Sequence, residues 1–283
     1  MTKSDTIDDS TAPLMEHLKE LRNRILVSVG VYIVCFFIGY LFWQPIFNIL
    51  SHPMCQVMAD RGEECRLVLI KMQEGFFVAL RIALWGGFVL AFPIIAFQMW
   101  RFVAPGLYRS EKAAFFPFLL ASPVMFFLGA AFAYYLMLPF AFTFFLGFAD
   151  TFQEQAAAGG SALGEVPTGV VYQGSIEAYL SLTMTFVLAF GLCFQLPVLL
   201  TLMGRAGLIS AKGLKHTRKY AIVGILTVAA TVTPPDIMSQ LIVFFAVYPL
   251  YEASILLITR FERQREARMR ADGTWVEDEE EAS

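Results

Sequence analysis

Residues 220–251 read YAIVGILTVAATVTPPDIMSQLIVFFAVYPLY, and Asp236 is the one charge in the stretch. Two apolar runs, Tyr220–Pro235 and Ile237–Tyr251, meet in TVTPPD with almost no loop between them. The prolines end the first run. About 14 residues precede Pro234, roughly 21 Å of helix. A hydrocarbon core is about 30 Å thick, so a helix of that length crosses only where the bilayer thins. Asp236, directly after the prolines, is placed to cap the following helix.

Four more charge-free runs lie upstream: Ile25–Trp43, Ile82–Trp100, Ala113–Ala149 and Ala178–Gly204. Each reaches or approaches the roughly 20 apolar residues a spanning helix needs. Hydrophobic residues make up 57% of the 283 and charged residues only 16%, against about 25% charged in soluble domains. The expected fold is an all-α integral membrane protein with six transmembrane helices. No cleavage site follows the charged segment MEHLKELRNR, so the first run is expected to remain as a span. The run 113–149 contains Pro117, Pro123 and Pro139. As a helix it would measure about 55 Å, so it must tilt, kink or project.

Cytoplasmic loops should carry most Lys and Arg. With the N-terminus inside, 17 of the 21 such residues fall on the inner side; Arg61, Arg66, Lys71 and Arg81 fall outside. An even number of spans returns the C-terminus to the cytoplasm. Residues 1–12 are expected to be a disordered tail, 13–262 the membrane domain and 263–283 a second disordered tail ending in EDEEEAS. Within 13–24 a short amphipathic helix aligns Leu14, Leu18 and Leu21 on one stripe and Glu16, Glu20 and Arg24 on another. The first outer loop spans about 30 residues and holds Pro45, His52, Pro53, Cys55 and Cys65; the second covers about 150–176.

Nothing in the chain reads as an enzyme. HExxH, Walker A, GxSxG and dinucleotide fingerprints are absent. His17, His52 and His216 are scattered and read as surface residues, so no metal or cofactor is expected. A net charge of −3 gives no sign of a nucleic-acid partner. Cys35 and Cys193 sit in apolar runs and read as core residues. Cys55 and Cys65, ten positions apart in the outer loop, are either bridged or two free thiols.

The unusual residues are polar groups near or inside the membrane. Glu20 and Glu111 lie on the inner side among basic neighbours and suit a cationic partner. The bland alternatives are an i,i+4 pair of Glu20 with Arg24 and a dipole-favoured Glu111 at a helix start. Gln195 lies mid-span, and Glu252 lies near the inner end of the last span. Such groups often mark function. The alternatives are an interhelical hydrogen bond for Gln195, and snorkelling or pairing with Arg260 for Glu252.

Five segments together resemble the TatC family, the multispanning receptor subunit of the twin-arginine protein translocase: HLKELRNR (17–24), SHPM (51–54), FPIIAFQMWRFVAPGLYRSEK (92–112), FGLCFQLPV (190–198) and TPPDIMSQ (233–240). The resemblance implies a concave, glove-like bundle with short helices 5 and 6. It implies binding of Arg-Arg signal peptides by Glu20 and Glu111, since guanidinium and carboxylate form bidentate charge-assisted bonds. Arg22 and Arg24 match a basic pair implied to hold Glu20. Phe102, Leu107 and Tyr108 match positions lining the peptide site, and Pro53 matches the proline of the first outer loop. Gln195 stands where the family commonly has Glu, so a titrating carboxylate is ruled out at that position. Thr233 and Gln240 match polar positions that dock the single-span partners TatA and TatB. The resemblance further implies several copies in one receptor complex, the bacterial inner membrane and transport driven by the proton gradient. The competing reading is a proton-coupled small-solute transporter using Gln195 and Glu252 at its midplane. The lack of a convincing internal repeat weakens it.

Overall fold

The computed structural model describes the backbone of residues 8–107, 116–162, 174–233 and 237–271. Five described stretches are long and apolar enough to cross a membrane: His17–Leu41, Glu74–Phe102, Pro117–Thr151, Ile176–Arg205 and Ile237–Ala271. The chain is a multi-pass helical membrane protein. It divides into two compact units, Met1–Gly191 and Leu192–Ser283.

In the first unit, α1 (Asp8–Leu41) runs without a break through the amphipathic segment into the first span. It begins inside the segment read as a disordered tail. Next comes α2 (Trp43–Asp60), which occupies most of the expected first outer loop. Sequence reading took this segment for a loop because Pro45 and Pro53 punctuate it. Pro45 lies in the first turn, where a missing N–H costs nothing. Pro53 lies inside the helix and leaves the Ile49 carbonyl without its i+4 donor. Tyr134 donates to that carbonyl at 2.7 Å, and the Tyr179 hydroxyl donates to the next one, on Leu50. The Tyr134 hydroxyl thus replaces the one donor that the proline removes.

The second span is α3 (Glu74–Leu107). It packs against α1 at glycine contacts: a Cβ on Gly87 would lie 2.8 Å from Phe36 Cα, and one on Gly39 would lie 3.2 Å from the Ala83 carbonyl oxygen. Only glycine lets the two backbones approach so closely. The long apolar run forms α4 (Phe116–Phe132), a π-helical turn (Ala133–Met137) and α5 (Leu138–Ala162). Pro139 explains the π turn, because it supplies no N–H to Tyr135 and the ladder shifts to accommodate it. Helix continues to Ala162, so the second outer loop starts later than expected. A two-residue parallel pairing joins β1 (Leu67–Val68) to β2 (Gly174–Ser175), bringing the outer loops together. The unit closes with α6 (Ile176–Cys193).

The second unit contains α7 (Leu196–Arg205), α8 (Ala211–His216), α9 (Arg218–Val232) and α10 (Ile237–Ala271). The fourth span was read as continuous, but the helix breaks at Phe194–Gln195, where Pro197 has no N–H for the Cys193 carbonyl. Helix α9 has 15 residues, about 22 Å, as its sequence implied. Helix α10 is not short: it has 35 residues, of which only Ile237–Tyr251 is free of charge. Its helix runs through 263–271, which had been read as disordered tail. Glu, Arg, Gln, Met and Ala in that stretch are strong helix formers.

Candidate functional site

At the charged end of the first unit, α1 and α3 bring together five side chains. Glu20 and Arg24 are one helical turn apart, and Arg24 Nε donates to Glu20 Oε1 at 3.0 Å. A second guanidinium nitrogen also donates to Oε1. The third reaches Gln98 Oε1 on α3 at 3.3 Å. Arg24 is largely buried, with 15% of its side chain exposed, while Glu20 keeps 36%. No described residue donates to Glu20 Oε2. A ring stack of His17 on Phe102, with centroids 4.3 Å apart and planes 17° from parallel, forms the next layer. Among the described residues the carboxylate is therefore oriented through one oxygen and left with acceptor capacity on the other.

The two basic residues do not share this work. Arg22 is exposed and makes no ion pair among the described residues. Residues two apart point to different sides of a helix, so Arg22 cannot share Arg24's contact with Glu20. Glu111 and Tyr108, and the side chain of Leu107, lie outside the described residues. Sequence reading missed Gln98 and the stacked role of His17. The i,i+4 pair was legible, but a contact between residues 24 and 98 has no local signature.

At the opposite end of the unit, Pro53 is buried in α2. Cys55 and Cys65 are joined by a disulfide, with Cα atoms 5.0 Å apart. Arg61 pairs with Asp150. Arg81 Nη2 reaches Glu177 at 2.9 Å.

In the second unit, Gln195 opens α7, and its carbonyl accepts from Leu199 N at 2.9 Å. Glu252 pairs with Arg218 at 2.7 Å and accepts from Tyr248 at 2.8 Å. The expected partner Arg260 lies two turns further along the same helix, about 12 Å of rise away, whereas Arg218 starts the adjacent α9. Thr233 and Gln240, expected at the positions that dock partners, both find acceptors within the second unit. Thr233 is 4% exposed and donates to Ala229 O at 2.9 Å. Gln240 is half-buried and donates to Leu226 O at 3.1 Å. Threonine readily bonds back four residues along a helix, and Gln240 reaches a carbonyl on its hairpin neighbour. Asp236 lies outside the described residues.

A family profile described as Sec-independent protein translocase protein (TatC) matches residues 16–245. The chain belongs to the TatC family. A Sec-independent protein translocase protein TatC from Magnetococcus marinus is 38% identical over 271 residues, covering 95% of this chain and 93% of that protein. The TatC of Escherichia coli K12 is 30% identical over 247 residues, covering 87% and 88%. A crystal structure described as the twin arginine translocase receptor TatC superposes with a TM-score of 0.72 at 34% identity, covering 85% of this chain and 98% of that one. These likenesses carry no support for the small-solute transporter reading. Its proposed midplane residue Glu252 is, moreover, already occupied by Arg218 and Tyr248.

Proposed function

We propose that this TatC-family chain is the receptor subunit that binds Arg-Arg signal peptides at the cytoplasmic face. With TatA- and TatB-type single-span subunits, it moves folded proteins across the bacterial inner membrane, driven by the proton gradient. The observation that carries this reading is the half-open Glu20 carboxylate. Arg24, itself bonded to Gln98, holds it in one orientation, and no described residue donates to its second oxygen. A guanidinium of the peptide is the natural occupant.

Glu20 alone cannot neutralise two arginines, because Arg24 already compensates much of its charge. A second acid is needed, and Glu111 is the residue proposed. Phe102, backed by His17, offers an apolar floor to the peptide, with Leu107 and Tyr108 proposed beside it. The charge count, 17 inner against four outer cations, supports cytoplasmic termini. Several copies of the chain assemble in the receptor complex, and Thr233 and Gln240 lie where the partners dock.

Crosslinking tests the reading. A photoreactive signal peptide should label the wild-type chain and lose most labelling when its Arg-Arg pair becomes Ala-Ala. Equal labelling by both peptides would refute it.

A further inference from the structure

The segment Leu69–Phe77 joins the disulfide-bearing loop to α3. Folding sorts its side chains by polarity in an unexpected direction. Its one acid, Glu74, is 3% exposed. That carboxylate accepts from Ile70 N at 2.6 Å, Lys71 N at 3.1 Å and Glu177 N at 3.0 Å, with Ser175 Oγ at 3.5 Å. The apolar side chains turn outward: Ile70 is 68% exposed, Met72 fully exposed, and Leu69, Phe76 and Phe77 more than half exposed. Lys71 stands among them with 64% of its side chain exposed and its Nζ 3.8 Å from Glu177 Oε2, a long and solvent-screened pair. Leu69 also lines a cleft of about 450 Å³, walled by the apolar Trp43, Phe47, Val78 and Ile176 and by the amides Gln44 and Asn48.

A loop in water would hide its apolar residues and show its acid. This one hides the acid in a cage of N–H groups and presents five large apolar side chains and a cation. We infer that the segment is a lipid-seated hook: Met72 and Ile70 enter the leaflet on the disulfide side, and Lys71 snorkels to a phospholipid phosphate. Three observations select lipid as the occupant. The exposed apolar residues Met72, Phe76 and Phe77 are followed along α3 by exposed Leu84 and Trp85, with Arg81, paired to Glu177, between them. The exposed charge of the hook is Lys71, held by Glu177 only at 3.8 Å and so able to turn to a negative phosphate. Trp43 in the adjoining cleft is a residue type that favours the membrane interface, and the cleft suits the upper part of an acyl chain. Glu74 is a positioning residue in this scheme. By tying Ile70 and Lys71 to the start of α6, it holds the hook at a fixed height.

The inference rests on the membrane-spanning reading, and the test separates the two. Cys35 and Cys193 are replaced with Ala in the full chain, leaving the disulfide intact. A nitroxide is then attached at Met72→Cys, at Glu63→Cys in the loop, or at Leu90→Cys within the span. Each sample is placed at one copy per nanodisc of phosphatidylglycerol and phosphatidylcholine. Collision with oxygen, which concentrates in lipid, is compared with collision with a water-soluble nickel chelate. The expected oxygen-to-nickel ratio at Met72 is several-fold above that at Glu63 and below that at Leu90, and Lys71→Glu lowers it. A ratio at Met72 equal to that at Glu63, with Leu90 still in lipid, overturns the hook alone. So does a Met72 label reached by neither reagent, which would mean a protein cover. A nickel-accessible Leu90 label overturns the spanning reading itself.

Discussion

Gly86 and Gly87 are neighbours in α3, and their structural settings differ enough to make opposite predictions for the same substitution. A Cβ on Gly87 would lie 2.8 Å from Phe36 Cα and 2.9 Å from Phe36 N, both backbone atoms of α1. A Cβ on Gly86 would meet only Ile46 Cδ1, at 3.6 Å. Ordinary contacts begin near 3.4 Å, so Gly87→Ala must drive the two helices apart by about 0.6 Å, since no side-chain rotation relieves a clash with backbone. Both variants gain roughly 1 kcal/mol of helix propensity, and that gain cancels when the two are compared. What remains is the overpacking cost at Gly87, about 1–3 kcal/mol. The displacement also bears on the site, because α1 and α3 meet again at Arg24 and Gln98, where the 3.3 Å bond has little slack. Thermal unfolding in detergent should therefore place Gly87→Ala several degrees below Gly86→Ala, and signal-peptide crosslinking should fall only in the former. Equal midpoints would show that α1 and α3 do not approach as described.

Four further outcomes follow from single contacts. Glu20→Ala should weaken signal-peptide binding by about 1.5–3 kcal/mol, the value of a charge-assisted bond, measured by titration of labelled peptide; unchanged affinity would move the site elsewhere. Tyr134→Phe should cost about 1 kcal/mol in the parent but almost nothing in a Pro53→Ala background, where residue 53 regains the N–H that caps Ile49; additive losses in the double-mutant cycle would contradict the proline account. Breaking the Cys55–Cys65 bridge by Cys→Ser exchange should lower stability by about 2–3 kcal/mol for a loop of this size, and unreduced mass spectrometry that finds two alkylatable thiols would remove the bridge. Gln240→Leu should destabilise the chain even without partners, since its amide serves the Leu226 carbonyl; an unchanged unfolding midpoint would return Gln240 to a pure docking role.

Spans were legible because the bilayer imposes a length and a polarity that composition must satisfy. The six apolar runs, the brevity of α9 and the Glu20–Arg24 pair all follow from local rules of this kind. Helix α2 was not legible, because its prolines read as loop punctuation, and the tyrosine that serves the Ile49 carbonyl lies 85 residues away from it. Gln98 escaped for the same reason. The acceptors of Thr233 and Gln240 were not legible, because a hydropathy reading does not show which carbonyls of its own hairpin a polar group reaches. Glu74 drew no notice as one acid in a polar loop, yet it organises three segments once the outer loops pair.

The central claim is that a carboxylate fixed by Arg24 receives an arginine of the signal peptide. Charge reversal tests it most directly. Glu20→Arg should abolish crosslinking of an Arg-Arg peptide, and a peptide carrying Glu in place of one arginine should recover part of the labelling on that variant. Full labelling of Glu20→Arg by the unaltered Arg-Arg peptide would contradict the account.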